Sequence, residues 1–155
     1  MAQEIERKFL VVDDDWRASV RREITIRQAY LASGDGAEVR IRITNGSRAQ
    51  LAVKTRRTKL SRDEFEYDIP LADAEALLPA RLGEVIDKRR HEVEIDGAIW
   101  EVDVYAGPLE GLVTAEIELT SESQKIDPPP WLGAEVTGDP RYANATLARE
   151  GLPRS

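Results

Sequence analysis

The chain contains no cysteine, so it can form neither a disulfide nor a thiolate metal site, and a reducing compartment is the expected setting. It lacks an excess of positive charge as well: 22 Lys and Arg stand against 29 Asp and Glu, a formal net charge of −7. That balance argues against a broad basic footprint for nucleic acid or for an anionic membrane surface, so any anion site must be local. No apolar run approaches membrane-spanning length, and Glu4, Glu6 and Lys8 stand where a signal peptide would need an apolar stretch. The expected location is therefore cytoplasmic, with neither a membrane nor a nucleic acid as partner. Aromatic residues make up only 6%, and Trp16, Trp100 and Trp131 are scattered, which fits packing better than a base-stacking platform. There is no Gly-x-x-x-x-Gly-Lys-Ser/Thr loop, and Gly34-Asp35-Gly36 lacks the third glycine of a dinucleotide fingerprint and reads as a turn. The single histidine, His91, adjoins Arg90 in a run of strand character and so faces away from Lys88 and Arg90, which argues against its being a catalytic base.

What the chain does have is strands. Its 155 residues suit a single domain spanning 1–155. Alternation of apolar and polar residues predicts eight strands, at Glu4–Val12, Ile24–Leu31, Glu38–Thr44, Gln50–Thr55, Arg62–Ile69, Val85–Ile95, Ala98–Tyr105 and Val113–Leu119. Asn45-Gly46 and Asp96-Gly97 are residue pairs that tolerate positive φ in tight hairpins, so their flanking strands should be antiparallel neighbours. A short helix is expected over Ala72–Leu78, capped by Asp73 and stopped by Pro79. A second should start at Asp139-Pro140 and run towards Gly151. Pro128-Pro129-Pro130 forms a stiff spacer ahead of it. The fold class is mainly β, an antiparallel meander with a few peripheral helices.

The charged residues of these strands repeat at two-residue spacing. Glu4, Glu6 and Lys8 share one strand face, as do Arg40 with Arg42, Arg62 with Glu64 and Glu66, Lys88 with Arg90, and Glu116 with Glu118; Lys54 and Asp103 complete the set. One reading is an ordinary sheet with one wet face. Two features favour another: this face is thin in Ser and Thr, and several strands carry like charges at i, i+2, which repel. If the sheet closes with that face inward, only counter-charges or a charged ligand can offset the cost of burying its ions. Seven bases (Lys8, Arg40, Arg42, Lys54, Arg62, Lys88, Arg90) balance seven acids (Glu4, Glu6, Glu64, Glu66, Asp103, Glu116, Glu118). Two divalent ions would add about four positive charges, and a triphosphate roughly four to five negative ones. Arg and Lys suit the oxygens of a polyphosphate, and carboxylates suit hard ions such as Mg²⁺ or Mn²⁺.

In this order, Glu4-x-Glu6-x-Lys8, Arg40-x-Arg42, Lys54, Arg62-x-Glu64-x-Glu66, Lys88-x-Arg90, Asp103 and Glu116-x-Glu118 resemble the CYTH domain, or triphosphate tunnel metalloenzyme, superfamily, over nearly the whole chain. The small bacterial members are the nearest likeness, through Glu4–Leu10 and the Trp131–Leu147 region with Glu135-Val136-Thr137. The resemblance implies an eight-stranded antiparallel β-barrel, a tunnel or incompletely closed cup with a few peripheral helices, that binds triphosphates with Mg²⁺ or Mn²⁺. By the same resemblance Lys8, Arg40, Arg42, Lys54, Arg62, Lys88 and Arg90 hold phosphates. Glu4, Glu6, Glu116 and Glu118 match metal-site acids, with Glu64, Glu66 and Asp103 as further candidates. The expected activity is hydrolysis of inorganic triphosphate by water, with Lys8 gripping the substrate and Glu4 or Glu6 taking the water's proton. The alternatives are a nucleoside or thiamine triphosphatase, a class IV adenylate cyclase, and a non-catalytic polyphosphate-binding module. The partner is a small-molecule triphosphate, and the protein is expected to be a monomer or homodimer.

Overall fold

Hairpin chemistry sets the register of half the sheet. Asp96 and Gly97, at φ 50° and 81°, form a two-residue loop between Ile95 and Ala98, whose twist matches that of the strands it joins. Asn45 and Gly46, at φ 52° and 67°, turn the chain between Thr44 and Arg48, and the Asn45 Oδ1 accepts a hydrogen bond from the Thr25 N–H at 2.9 Å. The computed structural model describes residues 2–34, 36–58 and 61–154. Asp35, central to the turn expected at Gly34–Gly36, lies outside the described residues.

Among the described residues there are nine strands: β1 (Ala2–Val11), β2 (Val20–Ala32), β3 (Glu38–Thr44), β4 (Arg48–Arg56), β5 (Ser61–Ile69), β6 (Leu82–Ile95), β7 (Ala98–Tyr105), β8 (Val113–Glu118) and β9 (Leu132–Glu135). They pair antiparallel in the order β5-β4-β3-β2-β6-β7-β8-β1. Ala2–Ile5 of β1 then return to Glu64–Ser61 of β5, which closes an eight-stranded barrel and leaves it no open edge. Farther along β1, Phe9 and Val11 pair with β9, so one edge of a single strand serves two neighbours in turn.

The ninth strand was not expected, since Leu132-Gly133-Ala134-Glu135 has no polar and apolar alternation; tertiary pairing makes it. A Cβ at Gly133 would lie 2.7 Å from Val12 Cγ1, so a side chain there would have to displace the exposed Val12. The 3-10 turn at Asp15–Ser19, which buries Trp16, was also unforeseen. Helix α1 (Leu71–Leu77) takes Pro70 as its N-cap, which puts Asp73 in the first turn and not at the cap; Leu78–Ala80 continue it as a 3-10 turn. The carboxy-terminal helix is split. Asp139 does cap a 3-10 turn at Pro140–Tyr142, accepting from the Arg141 N–H at 3.0 Å, and α2 (Asn144–Glu150) follows after Ala143.

The apolar residues of most strands point outwards and are covered there. Ile5, Phe9, Trp100, Val102 and Ile117 pack under Trp16 and Trp131, while Ala29, Ile41, Ile43 and Ala49 pack under Ala74 and Leu78. A third cluster joins the inward-facing Tyr30, Ile86 and Tyr105 to Leu147 and Ala148 of α2, which packs against that end of the barrel. No helix among the described residues is long and apolar enough to cross a membrane.

Candidate active site

Because the hydrophobic layers lie outside, the barrel interior is left to the charged faces of the strands. They enclose a cavity of about 390 Å³, a size suited to a small ligand. Lys8, Arg40, Arg42, Lys54, Arg62 and Arg90 line it, together with Glu4, Glu6, Glu64, Glu66, Glu116 and Glu118. The charges of six strands therefore converge on one space, since all alternate positions of a strand share a face.

The pairs follow from the register. Lys54 Nζ sits 3.1 and 3.2 Å from the two oxygens of Glu4, which also accepts from Arg62 Nη2 at 3.1 Å. Burial alone would raise the Glu4 pKa, but Lys54 and Arg62 outweigh it and hold the carboxyl below its usual range. Glu64 lies 3.8 Å from Arg40 Nη2 and 3.5 Å from Lys54 Nζ. Glu66 sits at the rim and accepts from Gln50 Nε2 at 3.0 Å. Lys8 Nζ donates to the Tyr142 carbonyl at 2.8 Å, while its backbone N–H donates to Thr137 Oγ1 at 2.9 Å. Arg7 holds Glu135 through two hydrogen bonds of 2.6 and 2.8 Å on the far side of the same strand. The segment before α2 is thus tied to β1 on both faces.

Arg42 is clamped by Gln28 Oε1 at 2.9 and 3.1 Å, and burial with Arg40 and Arg90 nearby brings its pKa down to about 10. Burial also lowers the Lys54 pKa, reinforced by Arg40. Arg40 Nε is buried with no hydrogen-bond acceptor among the described residues. Crowded, partly unsatisfied cations of this kind describe a site shaped for an anion.

The acids show the complementary deficit. Glu6 faces Glu118, and Glu116 faces both Lys8 and Glu101, in the strand register. Burial, then Glu116 and Glu4, raise the Glu6 pKa well above normal. Glu116 falls to about 2 despite its burial, through Lys8 and a hydrogen bond from Glu6. Burial together with Glu4 and Glu64 raises the Glu118 pKa too. All these donors are carboxylate oxygens, the ligands of a hard divalent ion. Among the described residues no group of three His, Asp or Glu converges tightly enough to hold an ion alone. The donor set therefore fits an ion that completes its coordination with ligand oxygens and water.

Two expected residues sit elsewhere. Lys88 and Asp103 are fully buried behind the lining, 2.8 Å apart, and Asp103 also receives Arg90 Nε at 2.8 Å and Nη2 at 2.9 Å. Burial opposes the charge on Asp103, yet Arg90 and Lys88 hold its pKa far below the usual range. Both its oxygens are engaged, which departs from the expectation of Asp103 as a metal ligand. His91 packs outside the barrel with its ring 4.9 Å from Trp16, away from the cavity as its parity requires. Sequence reasoning missed Glu38, Arg56 and Glu101, which also line the cavity. Each continues an alternation already noted, as Glu38-x-Arg40, Lys54-x-Arg56 and Glu101-x-Asp103, so the signal was there. Tyr142 and Asn144 had none, because the fold alone brings that segment to the cavity.

Comparison with known proteins follows the same lines. The sequence profile of the CYTH domain matches residues 2–151. The inorganic triphosphatase of Acetivibrio thermocellus is 41% identical over 150 residues, covering 96% of this chain and 95% of that protein. The inorganic triphosphatase of Nitrosomonas europaea is 40% identical over 152 residues, covering 94% and 96% respectively. The crystal structure of the inorganic triphosphatase NE1496 superposes with a TM-score of 0.69 at 37% identity, over 96% of this chain and 95% of that one.

Proposed function

The chain belongs to the CYTH domain family, and on that premise we propose that it hydrolyses inorganic triphosphate to pyrophosphate and phosphate inside its barrel. The observation that carries this reading is the convergence of crowded cations and mutually facing carboxylates on one cavity, an arrangement that a polyanion and a metal ion together would neutralise. Relatives about 40% identical over almost the full chain are inorganic triphosphatases.

The family implies a divalent metal ion, and oxygen ligands favour Mg²⁺ or Mn²⁺. Glu4, Glu6, Glu116 and Glu118 would hold it, with Glu64 and Glu66 nearer the rim. A bound ion neutralises phosphate charge and lowers the pKa of a bound water. The protein's own part is mainly positional. Lys8, Arg40, Arg42, Lys54, Arg62 and Arg90 bind the phosphate oxygens and hold the chain in line for attack on a terminal phosphorus. Asp103 and Lys88 serve this from behind: Asp103 fixes the Arg90 guanidinium by two hydrogen bonds. Water forms the new P–O bond, the bridging P–O bond breaks, and pyrophosphate leaves. Glu4 or Glu6 takes the water's proton.

Tripolyphosphate supplied with Mg²⁺, or separately with Mn²⁺, should yield orthophosphate and pyrophosphate in equal amounts. Lys8→Ala and Glu118→Ala should each lower that rate at least about 100-fold, the loss expected when an electrostatic contact to the transferring group is removed, with circular dichroism unchanged. ATP in the same assay is the control for nucleotide chemistry. A cyclic nucleotide with pyrophosphate and no orthophosphate would replace the proposal with a cyclase, and tight binding without turnover in either metal would replace it with a binding module.

A further inference from the structure

Arg56 departs from its neighbours in the cavity. Lys54, Arg62, Arg40 and Arg90 are each ion-paired to a carboxylate, and Arg42 is clamped by Gln28. Arg56 lines the same cavity, yet it has no hydrogen bond or ion pair to any other side chain among the described residues. It is the last residue of β4 and is exposed, whereas Lys54, two residues earlier on the same face, is buried. Two residues of strand place it about 6–7 Å beyond Lys54 towards the rim.

Its cross-strand partner makes the vacancy plainer. Arg56 stands directly opposite Arg62 in the register of β4 with β5. Like charges in that relation repel. Arg62 is compensated by Glu4 at 3.1 Å, Glu38 at 3.6 Å and Glu6 at 3.7 Å, whereas no acid among the described residues is supplied to Arg56. A cation left unpaired beside a paired one, on a face that continues into an anion site, is a contact awaiting a ligand.

We propose that Arg56 is a substrate-capturing residue which meets the outermost phosphate of the triphosphate at the cavity rim. The proposal rests on the triphosphatase reading and extends it. An exposed, unanchored guanidinium contributes equally to bound substrate and to transition state, so it acts on KM and on encounter, and little on the chemical step. Because it is exposed, its contribution is screened by salt more strongly than those of the buried cations.

The test compares wild type, Arg56→Ala and Arg56→Lys in tripolyphosphate hydrolysis with Mg²⁺ at low and at physiological salt. Arg48→Ala is the control, because it removes the same charge at the opposite end of β4, where Arg48 pairs with Asp68 at 3.1 Å. Arg56→Ala should raise KM about tenfold at low salt, the equivalent of ~1.4 kcal/mol, with kcat within about twofold of wild type. The difference should shrink at physiological salt, Arg56→Lys should recover most of the affinity, and Arg48→Ala should match wild type. An unchanged KM in Arg56→Ala, or an equal rise in Arg48→Ala, overturns the proposal. Absence of phosphate release by wild type would instead remove the triphosphatase reading itself, and isothermal titration of tripolyphosphate against the same variants would then decide on Arg56 alone.

Discussion

Lys88 is the residue where burial competes most directly with pairing. Its side chain is 0% exposed. Burial, with Arg90 and Arg42 close by, brings its pKa down to about 7 even though Asp103 pulls the other way. An unfolded lysine titrates near ~10.4, so between about pH 7 and 10 the unfolded chain holds a proton that the folded chain lacks. Stability contributed by this group must therefore rise with pH across that window, by up to ~1.4 kcal/mol per unit. Measured by urea unfolding at pH 7 and pH 9, wild type should gain stability relative to Lys88→Met, which cannot titrate. A constant difference between the two proteins would mean that Lys88 keeps its charge throughout. The alternation that exposed Lys88 and Asp103 as members of the inward face could not reveal that they pair with each other behind Arg90. That depends on the register of β6 with β7, where Arg90 stands opposite Asp103 and Lys88 opposite Tyr105.

At the scale of elements, the wall of the cavity depends on how tightly α2 meets β6. Gly83 near the start of β6 has φ +71°, and a Cβ there would collide with the Ala148 carbonyl oxygen. Gly83→Ala thus combines backbone strain with a clash against rigid backbone, and a loss of ~1–3 kcal/mol is expected by denaturant unfolding. Turnover should fall with it, because the segment ahead of α2 carries the Tyr142 carbonyl that receives Lys8 and forms part of the cavity wall. Wild-type stability in Gly83→Ala would show that α2 is not packed as described. The strands of the barrel were legible in the sequence because two-residue alternation is a local signal: β3 and β7 have the bounds expected, β8 stops one residue short, β1 starts two residues earlier and ends one earlier, and the others extend by one to four residues at their ends. Strand β9, the turn around Trp16 and the break between Pro140–Tyr142 and α2 were not. Each arises from contacts with residues distant in the chain, such as Val136 N–H to the Lys8 carbonyl at 2.8 Å.

For the whole molecule, the ligand-free barrel holds like charges close together, so filling it should stabilise the fold. Tripolyphosphate and Mg²⁺ added together at 100-fold over the dissociation constant should contribute ~2.7 kcal/mol and raise Tm by about 5–10 °C. Either one alone should do less, since each leaves one set of charges uncompensated; equal shifts from triphosphate alone would argue that the acids do not take up a cation. The sequence by itself determined the strands, the two hairpin turns, which residues share a face, and the near balance of acids and bases on that face, because all of these follow from the alternation of side chains along an extended chain and from simple counting. Only the tertiary structure decided that this face turns inward. The return of β1 to β5 closes the sheet, and layers around Trp16, Trp100 and Trp131 and beneath α1 remove the outer apolar face from water. An open sheet with the same alternation would satisfy every local preference equally well, and the choice between the two is made by burial of apolar surface across elements far apart in the chain.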